Sequence, residues 1–172
     1  DVERLRDEYA AWVFAMYDAA NVYVLVRWLD PSPLSHPGSV KGSYGFNGDC
    51  LQVRFITAYE QPTERTSHWT CWRDRDGDQR MGVAYGRGFK DGTLDDARAE
   101  GGQQAFLKHD DGRGYTQEMA IPWKLLTTDG QALAAGDTFR FTVELNFTRG
   151  QAGRITMKGI FLQGVPVDRI FA

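Results

Sequence analysis

A chain of 172 residues with a formal net charge of -3 has length enough for one hydrophobic core, and too little positive charge to displace counterions from phosphates, which argues against nonspecific nucleic-acid binding. Charged residues make up 25% and aromatics 13%. Nineteen glycines against six prolines punctuate many short apolar runs, which is the composition of an all-β domain rather than a helical bundle. No apolar run approaches the roughly 18 to 20 residues of a membrane-spanning helix.

Residues 1–9 are polar, and the chain opens at Asp1 inside a charged, helical-looking segment without a signal peptide, so a leader or an earlier strand is expected to precede it. Trp12, Phe14 and Met16 alternate and predict a strand over 11–17. A tight turn at 18–21 leads into a β-branched and aromatic run over 22–29, nearly continuous in apolar residues and therefore central in its sheet. Asp30-Pro31-Ser32-Pro33 ends it. The long loop to Gly48 carries Tyr44 and Phe46, and its length and aromatics suggest a binding rim.

The next two strands are predicted over 49–57 and 67–73, joined by the polar stretch 60–65. A hairpin centred on that stretch sets Cys50 opposite Cys71 and puts Gln52, Arg54, Trp69 and Arg73 on one face, with Leu51, Val53 and Phe55 on the reverse. The cysteine pair reads either as a disulfide, which suits an oxidising compartment, or as two buried thiols. Trp69 reads either as a stacking platform with polar tips or as cross-strand packing under a loop. Asp74, Asp76 and Asp78 around Gly77 resemble a calcium loop in spacing. The twelfth position is Tyr85 rather than the bidentate glutamate of an EF-hand, which favours a solvated turn.

A short strand at 81–85, a glycine-rich excursion over 86–102 and a strand at 103–108 follow. An Asp-Gly turn then enters the stretch Tyr115-Thr116-Gln117-Glu118-Met119-Ala120-Ile121, which alternates as a strand with one buried face. Gln117 is polar on the face that should be core, which hints at a ligand contact. Pro122 lacks an N–H for the ladder, and Trp123-Lys124-Leu125-Leu126 reads as one helical turn lidding the sheet edge. Phe139, Phe141, Val143 and Leu145 predict a core-facing strand over 138–147, and 154–163 is the last strand. About nine strands at this spacing make an antiparallel β-sandwich in one domain spanning residues 1–172. The histidines at 36, 68 and 109 have no metal spacing. Glu118 and Glu144 lie on different strands, and nothing brings them to a common cleft for glycoside hydrolysis. Asn146-Phe147-Thr148 satisfies a glycosylation sequon at a strand end, where it reads as incidental.

Tyr23-Val24-Leu25-Val26 with Asp30-Pro31, then Asn47-Gly48-Asp49-Cys50-Leu51-Gln52-Val53, then Tyr115 to Trp123, then Gly136-Asp137 and Phe141-Thr142-Val143-Glu144-Leu145-Asn146 form an ordered series. In this order the chain resembles the family 9 carbohydrate-binding modules and their DOMON-like relatives. The resemblance implies a secreted or periplasmic β-sandwich, attached to a larger multidomain enzyme or a cytochrome, with structural calcium in some members. The family's sugar clamp pairs two aromatic planes with polar side chains. Carried over by position, the first clamp residue is Phe46, the polar contacts are Gln52 and Asn146, and Phe161 stands where a second tryptophan is expected. Arg54, Trp69 and Arg73 complete the expected carbohydrate-binding set. Haem-carrying relatives, similar to the gamma subunit of ethylbenzene dehydrogenase, give the alternative of a b-type haem electron-transfer domain. The position of their axial methionine is Arg54 here, and their axial lysine falls near Met157 and Lys158. His68 substitutes as a ligand only if the strand register differs from the one above. A purely structural or docking role in an exported assembly is the third reading.

Overall fold

The computed structural model describes residues 6–37, 45–86 and 92–148, and the backbone of Met157–Lys158. Its described residues form ten antiparallel strands in two sheets, and the all-β sandwich expected from the sequence is the architecture observed. The four-stranded sheet runs in the order β1-β2-β8-β7, with β1 at Ala10–Tyr17, β2 at Asn21–Leu29, β7 at Gln103–Lys108 and β8 at Tyr115–Pro122. The six-stranded sheet runs β10-β9-β3-β4-β5-β6. Here β3 is Cys50–Thr57, β4 is Arg65–Arg73, β5 is Gln79–Tyr85, β6 is Gly92–Leu94, β9 is Phe139–Phe147 and β10 is Met157–Lys158. Apart from β10, the predicted strand at 154–163 lies outside the described residues.

Between the sheets, alternate residues interdigitate. Val22, Val24, Val26 and Trp28 of β2 and Tyr115, Met119 and Ile121 of β8 meet Leu51, Val53 and Phe55 of β3 and Trp69 and Cys71 of β4. Trp28 stacks on Tyr115 at 5.1 Å between centroids and meets Phe147 edge-on at 5.0 Å, the offset and T-shaped geometries that ring quadrupoles favour. Gln117 is buried in this layer. Its amide nitrogen approaches the Cys71 carbonyl and Gln104 Oε1, each at 3.4 Å, so it links one sheet to the other, and its amide oxygen is buried without a hydrogen bond.

Pro122 closes β8, and a 3-10 turn at Trp123–Leu125 follows, as its proline dictates. Trp123 is buried edge-on against Tyr17 and Phe139, and its indole N–H donates to the Asp18 carbonyl at 2.8 Å. It is a core lid, as read. In β1 the alternation holds with the opposite sense from the usual one: Ala11 and Val13 pack inward, and Trp12, Phe14 and Met16 point outward, 51%, 59% and 67% exposed.

One glycine is fixed by geometry. Gly114, between β7 and β8, sits at φ +133°, and a Cβ there would collide with the Trp28 carbonyl oxygen. Gly114→Ala is therefore expected to cost about 3 kcal/mol or more, from a backbone region reserved for glycine and a clash with main chain that has no rotamer to relieve it. Urea unfolding of the two proteins measures it.

Candidate functional site

In the β3–β4 ladder Leu51 faces Cys71 and Cys50 faces Trp72, one residue away from the register expected. Because side chains alternate with period two, that single step moves a whole strand's residues to the other face. Trp69, paired with Val53, points into the core at 0% exposure, with its indole N–H donating to Ser67 Oγ at 3.0 Å. It is no platform. Arg73 shares that inward side at the strand end and lies beside the Gly77 turn. Cys50 and Cys71 point to opposite faces and are both free, buried thiols. The disulfide argument for an oxidising compartment falls with them. Burial drives both thiols up, Cys50 well above the usual thiol range, so neither is a ready nucleophile.

The same step assembles a different set on the outer face of the six-stranded sheet. Three rows cross it: Asn146, Cys50 and Trp72; then Glu144, Gln52 and Thr70; then Thr142, Arg54 and His68. Gln52, Arg54 and Asn146 are thus brought together as expected, and His68 and Trp72 join them in place of Trp69. A 3-10 turn at Gly45–Asn47 lies over one edge, where Gly45 packs so closely on Trp72 that a Cβ would approach Trp72 Cε3 to 2.6 Å. That turn holds Phe46 at the rim, 47% exposed. His36 stacks on Trp72 at 5.9 Å. Phe161 lies outside the described residues.

Gln52, Arg54, Glu144 and Asn146 are buried, His68 is half-buried, and most of these side chains are matched to one another. Arg54 Nη1 reaches Glu144 Oε2 at 3.3 Å, which makes Arg54 an ion-pair partner and not an iron ligand. His68 Nε2 contacts Gln52 Oε1 at 2.7 Å; the carbonyl oxygen only accepts, so Nε2 carries the proton. Burial first and the Arg54 charge second push the His68 imidazole down to about 4, so the ring is neutral at pH 7. Besides Arg54 Nε, which is buried and unmatched, two groups stand apart. Asn146 is 0% exposed with neither its amide oxygen nor its nitrogen hydrogen-bonded, and the Trp72 indole N–H is buried and unmatched in the same row. Buried polar atoms are normally paired, so these two orphans, about two strand spacings or roughly 9.5 Å apart, leave hydrogen-bonding capacity unused on this face.

The acidic turn after β4 is differently employed. Asp74 Oδ1 accepts from the backbone N–H groups of Asp76 and Asp78 at 3.0 and 2.9 Å, and its Oδ2 meets Arg80 Nε at 3.3 Å. Asp78 also pairs with Arg80, at 2.9 Å. The Asp74 and Asp78 carboxylates are therefore spent on the turn and Arg80, and the Asp76 carboxylate meets Arg75 Nε at 3.6 Å on the surface. Among the described residues no group of three His, Cys, Asp or Glu side chains is arranged to hold a metal ion.

A cleft of about 610 Å³ opens between the β3–β4 hairpin and the 126–138 connection, lined by Tyr59, Gln61, Asp129, Gln131 and Asp137 among others. Its threonines hold the two loops together: Thr57 Oγ1 donates to the Leu126 carbonyl at 2.6 Å and Thr128 Oγ1 to the Thr63 carbonyl at 2.8 Å. Size favours this cleft as a binding place, but orphaned hydrogen-bonding capacity favours the sheet face, and the latter is the more specific signal.

No family model and no curated protein matches the chain. Among solved structures it is similar to a protein from Bacteroides uniformis ATCC 8492 provisionally described as carbohydrate-binding, with a TM-score of 0.53 at 10% identity. The alignment covers 81% of this chain and 64% of that one, so the chain spans somewhat under two thirds of the relative's length. At that identity the likeness concerns the fold.

Proposed function

We propose that the outer face of the six-stranded sheet binds a carbohydrate without transforming it. The observation that carries this reading is the Asn146 amide, buried and unmatched on both its atoms, in one row with the unmatched Trp72 N–H and under the Phe46 rim. An amide that donates and accepts, an indole donor and an exposed aromatic ring are what a sugar's hydroxyls and apolar C–H face require. Gln52 and the Arg54–Glu144 pair supply a second polar row. The solved structure similar in fold and provisionally described as carbohydrate-binding supports the same ligand class.

Asn146→Leu separates binding from folding, because it keeps the branched side-chain shape and heavy-atom count and removes the orphaned amide. Stability is expected to hold or to rise by about 1 to 3 kcal/mol, the desolvation cost of an unsatisfied buried amide. Binding of mono- and oligosaccharides, followed by calorimetry and by tryptophan fluorescence, is expected to fall at least tenfold. An unchanged affinity would remove this face from the site.

His68 on the same face keeps the haem reading in view, since the register that brings it there is the one that reading required. A visible spectrum decides. A Soret band in the purified protein replaces the carbohydrate with haem as the ligand of this face.

A further inference from the structure

One edge of the molecule lacks the features that keep strand edges single. Among the described residues β1 lies at the edge of the four-stranded sheet, and its sequence, Ala10-Ala11-Trp12-Val13-Phe14-Ala15-Met16-Tyr17, has no charge and no proline. It has no bulge either, since it pairs with β2 in unbroken register along its whole length. Natural edges are blunted by charges, prolines, bulges or shortness, because a row of unpaired N–H and C=O groups is a template for another strand. The opposite edge, β7, carries Lys108 and the glutamines 103 and 104, and β6, at an edge of the other sheet, is three residues long. β1 instead presents Trp12, Phe14, Met16 and Tyr17, each between 51% and 67% exposed.

The hairpin fixes which backbone groups are open. The Asp18 N–H donates to the Asn21 carbonyl at 3.0 Å across the turn, and bonded and non-bonded pairs alternate from there along β1 and β2. Trp12, Phe14 and Met16 therefore bond to β2, while Ala11, Val13, Ala15 and Tyr17 turn their N–H and C=O groups to the open side. A second β1 pairs antiparallel there by matching those open residues with one another. The register centred on Phe14 does so along the whole strand: Val13 bonds Ala15 of the second copy, Ala11 bonds its Tyr17, Phe14 meets its Phe14 and Trp12 meets its Met16. Each large outward side chain then lies beside another, with the methionine sulfur against an indole ring, and no like charges are brought together. A fully open aromatic side chain offers about 150 to 250 Å², so at these exposures the side chains present roughly 400 to 500 Å² per copy. With the bonded edge the two copies reach about 1,000 Å² in total, the lower bound for a specific interface.

We propose that β1 is a dimerisation edge: two copies of this chain join antiparallel at β1 about a two-fold axis beside Phe14, so that their four-stranded sheets become one continuous sheet. The six-stranded sheet lies on the other side of the sandwich, and its outer face stays open in both copies.

Sedimentation velocity over a concentration series tests it. The wild type is expected to pass from the chain mass to twice that mass between about 1 and 200 µM, the weak association typical of the smallest specific interfaces. Phe14→Lys sets two ammonium groups face to face on the axis at a position exposed in the monomer, and Ala15→Pro deletes an N–H that points away from β2. Each is expected to weaken the dimer at least tenfold, and Phe14→Lys to keep the monomer's Tm within about 3 °C. Non-bonded antiparallel pairs bring Cα atoms to about 4.5 Å, within disulfide reach, so Phe14→Cys is expected to cross-link two chains under mild oxidation. Leu107→Cys, exposed on β7, is expected not to. A chain that stays monomeric throughout the series overturns the proposal and gives the edge to a different protein. A dimer indifferent to Phe14→Lys and Ala15→Pro, or equal cross-linking of the two cysteine variants, overturns it by placing the contact elsewhere.

Discussion

Trp69→Ala is expected to destabilise the fold by about 3 to 5 kcal/mol, the range for removing a large aromatic side chain from a packed core. Against a total stability of about 5 to 15 kcal/mol, that leaves a substantial unfolded fraction near physiological temperature. The side chain is fully buried between Val53 and Val83 on the inward face of the six-stranded sheet, and its indole N–H is satisfied by Ser67. Ligand affinity of the folded fraction should be unchanged. Trp72→Phe is the complementary change. It keeps an aromatic ring against Gly45 and His36 and deletes the unmatched N–H with part of the indole, so the stability cost should stay within about 2 kcal/mol while carbohydrate affinity falls. Urea unfolding and calorimetry on the two variants place each tryptophan on its face. If Trp69→Ala folds normally and loses binding selectively, the register drawn above is wrong.

That register is where reading the sequence met its limit. Most strands are legible: β-branched runs, the Asp-Gly turn before β8 and the proline that closes it predict elements whose observed bounds differ by a residue or two, while the three-residue β6 lies inside the stretch 86–102 read as a glycine-rich excursion. Alternation, however, says only that two sets of residues face opposite ways. Which set is inward depends on packing. Trp12, Phe14 and Met16 alternate as a core face would, yet they lie outside because Ala11 and Val13 fill the space against β2 and its neighbours. The β3–β4 pairing is set in the hairpin between Thr57 and Arg65, where Ala58 and Glu60 adopt positive φ, 49° and 60°, a conformation that non-glycine residues do not announce in sequence. One step there exchanged Trp69 for His68 on the outer face. Gln52 and Arg54 share a face because the alternation within β3 needs no partner strand, whereas Asn146, on β9, entered only through the family resemblance and meets that face because β9 pairs with β3.

The Arg54–Glu144 pair allows a sharper distinction between scaffold and site. Both side chains are nearly inaccessible, at 8% and 5%, and the closest approach is 3.3 Å with Arg54 Nε unmatched. A buried ion pair of middling geometry adds little net stability, because desolvating two charges offsets most of their attraction. Removing one member is another matter. Glu144→Leu leaves the guanidinium enclosed without its counter-charge, at a cost of about 3 to 5 kcal/mol. The double replacement Arg54→Met with Glu144→Leu should recover most of that loss, because it takes both charges out of the interior together. If the pair served folding alone, the double variant would bind carbohydrate as the wild type does. The proposed site predicts otherwise: the recovered protein, as stable as the parent in urea, should bind at least tenfold more weakly, because the charged hydrogen-bonding row beside Gln52 has been deleted. A stable double variant with undiminished affinity would confine the ligand to the Asn146–Trp72 row.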